Sequence, residues 1–164
     1  MQLHSRVCFC RIVYFYSSDF SGAFFINIIL ISRQFTLGKN ERLKSRKLIE
    51  RLFLDGKNFS LFPYRVFYIS DEVLASPLQA GFGVSAKNFK RATDRNRIKR
   101  LTKEAYRLQK KPLQDKLREK NKQLALFFIY TGKELPDYKT VYEKMSVILQ
   151  RLILFADEDN ASDT

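Results

Sequence analysis

Histidine and cysteine are nearly absent from this sequence. The single histidine, His4, and both cysteines, Cys8 and Cys10, fall in the first ten of 164 residues. A C-x-C pair with one histidine and no second pair is neither a zinc framework nor a disulfide scaffold. A reduced, cytoplasmic setting is the simplest expectation. Acids are few and dispersed, 17 against 30 Lys and Arg. Glu41, Glu50, Asp55, Asp71, Glu72, Asp94, Glu104, Asp115, Glu119, Glu134, Asp137 and Glu143 form no metal motif. The six glycines contain no P-loop and no dinucleotide-binding pattern. A nuclease or hydrolase needs acids clustered around a metal, or a nucleophile beside a base. A self-sufficient enzyme is therefore not expected; binding is. Long apolar runs are wanting too. Phe20 to Ile31, with Ser21 and Asn27 inside it, is about half of the ~20 residues that a membrane span needs.

What is present is positive charge. The net charge is +13 and the isoelectric point is near 9.9, which calls for an anionic partner, nucleic acid first and a membrane surface second. The charge is uneven. Residues 1–36 hold Arg6, Arg11 and Arg33 against Asp19, and residues 157–164 hold four acids and no base. The stretch 37–156 thus carries 27 of the bases and 12 of the acids. We read 37–156 as one domain of ordinary size. Residues 1–36, rich in Phe, Ile, Val and Tyr, are read as an extension outside it, either an appended tail or the product of a start placed too far upstream. Residues 157–164 are an acidic tail.

The domain begins with a short helix. Ser45 caps it, Leu48, Ile49, Leu52 and Phe53 give it an apolar edge, and Asp55-Gly56 ends it. Phe59–Leu61 and Tyr64–Ser70 read as strands, Asp71 to Pro77 as a loop, and Gln79–Ser85 as a further strand. Alternation puts Tyr64, Val66 and Tyr68 on one face and Arg65, Phe67 and Ile69 on the other. It likewise separates Ala80, Phe82 and Val84 from Gln79, Gly81, Gly83 and Ser85. A face of glycines and polar groups admits close approach, and an arginine beside a phenylalanine suits stacking with unpaired bases. Equally, Phe67 can simply pack beneath the first helix.

Lys87 to Lys111 carries eleven Lys and Arg against Asp94 and Glu104, with a helix expected over Ala92 to Gln109. Ile98, Leu101, Ala105 and Leu108 make its apolar stripe. Asn96, Lys99, Arg100, Lys103, Arg107 and Lys110 fall opposite, and Arg95 and Arg97 flank the stripe. Asp94 is read as a helix cap. Like charges at i,i+4 repel by a few tenths of a kcal/mol per pair, so such a face suits a polyanion lying along it; otherwise it is a solvated basic helix. Pro112 opens a second helical stretch to about Glu119. Leu124 to Tyr130 is too continuously apolar for an exposed strand and is placed centrally in the sheet. Thr131-Gly132 turns the chain, and a last helix after Pro136-Asp137 repeats Val141, Met145, Ile148, Leu149 and Leu152. The order gives an α+β, two-layer sandwich with helices largely on one face.

Arg95-Asn96-Arg97-Ile98-Lys99-Arg100, then Lys103 and Glu104-Ala105-Tyr106-Arg107, resembles the RNR signature of the bacterial ribonuclease P protein component. Arg42-Leu43-Lys44, Leu52-Phe53-Leu54-Asp55-Gly56, the Tyr64–Ser70 strand, Gly83-Val84-Ser85 and Lys87 agree in order and spacing, over about residues 37–155. The resemblance implies an α-β(2-3)-α-β-α fold like domain 2 of ribosomal protein S5, with a left-handed βαβ crossover. It implies an accessory subunit of an endoribonuclease that removes the 5′ leader of precursor tRNA. The catalyst would be an RNA subunit carrying Mg²⁺, with no cofactor on the protein and one protein per RNA. Docking to that RNA would fall to Arg95, Asn96, Arg97, Lys99, Arg100, Lys103 and Arg107. A cleft for the single-stranded leader would use Ile49, Phe53, Arg65, Phe67 and Lys87. Ile49 stands where the family commonly has an aromatic, and Asn88-Phe89-Lys90-Arg91-Ala92-Thr93-Asp94 replaces the usual Gly-Asn-Ala approach to the helix. The alternatives are a non-enzymatic RNA-binding module of ribosomal or translation-factor type, and a basic protein anchored to a membrane by Phe20–Ile31.

Overall fold

The computed structural model describes residues 35–70, 74 and 76–158. The N-terminal extension, including Phe20–Ile31, and the end of the acidic tail lie outside the described residues. Among the described residues four strands, β1 (Lys57–Leu61), β2 (Tyr64–Ser70), β3 (Leu78–Val84) and β4 (Leu124–Tyr130), and four helices, α1 (Arg46–Leu54), α2 (Ala92–Gln109), α3 (Lys111–Glu119) and α4 (Tyr138–Glu158), follow the order α1-β1-β2-β3-α2-α3-β4-α4. The sheet order is β1-β2-β4-β3. β4 pairs antiparallel with β2 and parallel with β3, so the apolar Leu124–Tyr130 run is central, as its composition requires. α2 and α3 form the crossover from β3 to β4.

Alternation sorts the sheet into two faces, and the strand registers align them. Tyr64, Val66, Leu78, Ala80, Leu126, Phe128 and Tyr130 form one core with Ile98, Ala105 and Tyr106 of α2, Leu113 and Leu117 of α3, and Val141, Met145, Ile148, Leu149 and Leu152 of α4. The sheet and these three helices are the expected two layers. Among the described residues the opposite face is covered only in part, by α1. There Leu43, Leu52 and Ala125 form a smaller buried cluster with Leu48, Ile49, Phe67, Ile69, Leu74 and Phe127 packed against it. Ser45 caps α1 by accepting a hydrogen bond from the Leu48 amide at 3.4 Å. Gly56 follows because a Cβ there would sit 2.1 Å from the Leu52 carbonyl oxygen.

Some expectations shift. β1 begins at Lys57, not Phe59, because Lys57 and Asn58 pair with Tyr68 and Phe67. In α2 the fully buried positions are Ile98, Thr102, Ala105 and Tyr106; Leu101 and Leu108 are half-buried. Thr102 is tolerated there because its hydroxyl donates to the Ile98 carbonyl and accepts from Tyr64, both at 2.9 Å. Burial pushes the Tyr64 phenol up to about 12. Asp94 does not cap α2. Arg91 occupies the cap position without a side-chain cap bond, and Asp94 lies in the first turn, where its charge favours the helix dipole. α2 ends at Gln109, and Pro112 sits in the first turn of α3, where a missing N–H is no loss. Asn121 (φ 50°) ends α3 in the left-handed conformation that Asn adopts readily.

Lys110 departs furthest from expectation. The helical projection put it on the solvent face, yet its side chain is only 2% exposed. Its ammonium donates to Glu41 at 2.5 Å and to the Thr36 carbonyl at 2.7 Å. Glu41 also accepts from Gln114 and from the Gly38 amide, each at 2.7 Å. Burial raises the Glu41 carboxyl, but these hydrogen bonds and the Lys110 charge outweigh it, so the group lies below its ordinary value. The segment 35–43 is thereby strapped to the α2–α3 junction. Its far end then adds to the edge of β3, with the Ala80 amide bonded to the Glu41 carbonyl at 2.8 Å and the Leu43 amide to the Ala80 carbonyl at 3.1 Å.

Candidate nucleic-acid interface

Two surfaces take the residues singled out by sequence. The first is the outer face of α2, held against the sheet by Ile98, Thr102, Ala105 and Tyr106. With those inward, Asn96, Arg97, Arg100 and Lys103 are exposed and Lys99 is half-buried. These five present a ladder of donors along one helix. Arg95 and Arg107 are held differently. Arg95 turns back to donate to the carbonyls of Phe89 at 2.8 Å and Lys90 at 2.7 Å, bracing the loop that leads into the helix. Phe89 is itself buried in the main core. The departure from the family's usual approach sequence therefore has a physical counterpart: an aromatic anchors the loop and an arginine locks it. Arg107 donates to both oxygens of Glu104, at 3.0 and 2.5 Å, and to the Phe35 carbonyl at 2.6 Å. The Arg107 hydrogen bonds hold the Glu104 carboxyl below its ordinary value despite some burial. The free cationic run is thus shorter at both ends than the charge count suggests, and its exposed centre is Asn96 to Lys103.

The second surface is the part of the sheet that α1 leaves open. Strand register places Arg65, Ile129 and Gly83 in one row and Phe67, Phe127 and Gly81 in the next. Phe53 of α1 leans over the second row with ring centroids 4.9 Å from Phe67 and 5.2 Å from Phe127, both edge-on. The Arg65 guanidinium carbon stands 5.1 Å from the Phe67 ring centroid, and Asn58 accepts from it at 3.2 Å. A cation over an aromatic face is favourable by about 0.5–1 kcal/mol at exposed sites, and here it fixes where the charge sits. Phe53 is 41% exposed, and Ile49 and Phe67 are half-buried. Phe67 packs under α1 and keeps part of its surface toward the open face. Lys87 lies outside this aromatic group, exposed in the loop after β3.

Sequence reasoning missed Phe127 and Asn58. Phe127 was absorbed in the apolar run of β4, but counting its period of two from Ala125 puts it on the open face. The glycines show why that face is flat. A Cβ on Gly81 would approach Phe127 Cδ2 to 2.4 Å, and one on Gly83 would approach its Cε1 to 2.9 Å. The Phe127 ring lies across the bare backbone of β3.

Among the described residues no group of three or more His, Cys, Asp or Glu is placed to hold a metal ion. No helix among them is long and apolar enough to cross a membrane. A cationic helix face, an aromatic groove crossed by an arginine, and a mixed α+β sheet define the class: a basic α+β protein with a face suited to a polyanion.

Comparison with known proteins agrees. The ribonuclease P family profile matches residues 37–153. The ribonuclease P protein component of Porphyromonas gingivalis is 41% identical over 119 residues, covering 72% of this chain and 87% of that one. That of Chlorobium phaeobacteroides is 32% identical over 130 residues, covering 73% and 89%. Among solved structures, the RNase P protein of Thermotoga maritima superposes with a TM-score of 0.52 at 27% identity, covering 68% of this chain and 96% of its own. That of Staphylococcus aureus gives 0.56 at 18% identity, covering 69% and 95%, a likeness of fold. The chain belongs to the ribonuclease P protein component family.

Proposed function

We infer that this chain is the protein subunit of ribonuclease P, the endoribonuclease of tRNA 5′ maturation, and that it works by binding rather than by chemistry of its own. The exposed centre of α2 docks the catalytic RNA: Arg97, Arg100 and Lys103 meet phosphates, Asn96 and Lys99 add hydrogen bonds, and Arg95 and Arg107 set the ends of the contact. The groove between α1 and the sheet holds the single-stranded 5′ leader of precursor tRNA. There Phe53, Phe67 and Ile49 offer apolar edges, Arg65 a planar cation, and Lys87 a further charge past the end of β3. Cleavage itself is assigned to the RNA subunit with its Mg²⁺, one protein serving one RNA in the cytoplasm.

Membership of the family carries this reading, and the exposed Asn96–Lys103 face is the structural observation that supports it. Phosphate contacts of this kind give affinity that falls steeply with salt. The test is reconstitution. The full chain, mixed with the cognate catalytic RNA, should stimulate cleavage of a precursor tRNA at its 5′ leader at low Mg²⁺. Protein freed of RNA that cleaves alone would overturn the division of labour. Tight RNA binding without stimulation would favour the binding-module alternative.

A further inference from the structure

At one end of the sheet lies a rim of three loops that, Lys87 apart, neither surface uses. It continues the Arg65–Ile129–Gly83 row by one step. The Thr131 amide and hydroxyl both donate to the Pro63 carbonyl, at 2.8 and 3.0 Å, joining the β1–β2 turn to the turn after β4. Asn88 donates to the carbonyls of Thr131 at 2.8 Å and Gly132 at 3.1 Å, joining that turn to the loop after β3. Arg95 fixes the same loop from the helix side. Three loops are locked together by side chains bonded to backbone, so whatever they display is held in place.

What they display is one exposed aromatic ring and several exposed cations. Phe62, at the tip of the β1–β2 turn, is 76% exposed, far more than Phe53. Lys133 in the turn after β4, and Lys87, Lys90 and Arg91 in the loop before α2, are all exposed. Glu134 and Asp137 are the exposed acids in these loops. A solvent-facing phenylalanine on a braced turn, with lysines exposed on the adjoining loops, has little to offer a membrane or an acidic peptide beyond what the lysines alone provide. It suits an unpaired nucleobase, whose flat face stacks on the ring while its phosphates meet the ammonium groups.

We propose that Phe62 is a stacking residue for an unpaired RNA base, and that this rim joins the helix surface and the groove into one continuous path for RNA. The inference rests on the functional reading above. The base belongs either to the catalytic RNA or to the precursor, and the same experiment tells which.

Phe62→Ala, Phe62→Leu and Phe62→Tyr would be made in the full chain, with Arg97→Ala/Arg100→Ala in parallel. Each would be titrated against the catalytic RNA alone. Each reconstituted holoenzyme would then be titrated against precursor tRNA, over a range of salt. Thermal melts would check folding, which so exposed a side chain should not alter. One base stacked on one ring is worth roughly 5- to 150-fold in affinity. Phe62→Ala should therefore weaken one of the two RNAs by at least about fivefold, with its salt dependence unchanged, and Phe62→Tyr should keep parental affinity. Loss in the first titration assigns the base to the catalytic RNA; loss confined to the second assigns it to the precursor. The proposal is overturned if Phe62→Ala stays within about twofold of the parent for both RNAs, below one stacking contact, while Arg97→Ala/Arg100→Ala binds weakly. It is also overturned if Phe62→Leu serves as well as Phe62→Tyr, the signature of an apolar protein contact. If no variant, the arginine pair included, changes RNA binding, the functional reading fails with it.

Discussion

Replacing Glu41 by Gln should expose how much the N-terminal strap matters. Gln keeps the shape and an acceptor but removes the charge that faces Lys110, whose side chain is 2% exposed; that of Glu41 is 19% exposed. Removing one partner of a buried pair costs about 3–5 kcal/mol, because the other charge is left uncompensated. The exposure of Glu41 and the remaining Thr36 carbonyl argue for the lower end, about 3 kcal/mol. At about 4 °C per kcal/mol for a domain of this size, the midpoint should fall by about 12 °C. Lys110→Met should cost less, because Glu41 keeps its hydrogen bonds from Gln114 and Gly38 and the methionine buries its stem in the same place. The assay is urea and thermal unfolding of the two single variants and the double, which isolates the coupling. Protonation offers a second reading. The folded Glu41 carboxyl lies below its ordinary value, so its contribution is complete above the unfolded pKa. That contribution is lost as pH falls through the folded one. The acid limb of the parent's stability curve should flatten in Glu41→Gln. A loss below about 1 kcal/mol, the range of a surface ion pair, or an unchanged acid limb would refute the reasoning.

Three further perturbations separate binding from folding. Arg97→Ala with Arg100→Ala should leave the melt unchanged and weaken catalytic-RNA binding, lowering the slope of log affinity against log salt by about 0.9 per phosphate contact removed; an unchanged slope in filter binding would show that neither meets a phosphate. Phe67→Ala should reduce holoenzyme affinity for precursor while sparing leaderless tRNA, and equal losses for both would remove the groove as a leader site. Gly81→Ala places a Cβ 2.4 Å from Phe127 Cδ2, so the ring must tilt into the groove. Overpacking of this kind costs about 1–3 kcal/mol, which denaturant melts would read, and precursor affinity should fall with it.

How far the fold could be read from sequence differed by element, for physical reasons. α4 was legible because its burial follows one period without conflict: Val141, Met145, Ile148, Leu149 and Leu152 all turn inward. β4 was legible as a central strand because its run is apolar on both faces, and the two faces of β2 and β3 were legible from alternation alone. α2 was harder. Its apolar letters Leu101 and Leu108 suggested a stripe, but the sheet instead takes Thr102, whose hydroxyl is satisfied by its own helix and by Tyr64, and Tyr106, a larger ring. Helical projection assigned Lys110 to solvent because it counts charge as outward. Only the Glu41 carboxylate and the Thr36 carbonyl, 69 and 74 residues away in the chain, make burial of an ammonium tolerable. The same limit hid the inward reach of Arg95 and Arg107. For Arg95 the signal that could have warned is the unusual approach sequence beginning at Asn88, where Phe89 has an apolar partner to find; for Arg107 it is Glu104, three residues earlier on the same helix.

The Arg95 brace bears on kinetics. Ordering a loop at the moment of association is charged against affinity, at ~0.5–1.5 kcal/mol for each long side chain immobilised. Here that ordering is complete before any RNA arrives, because the arginine at the head of the signature is already committed to the Phe89 and Lys90 carbonyls. Loosening it would shorten the lifetime of the assembled particle more than it would slow its formation, since dissociation absorbs most changes made to one contact surface.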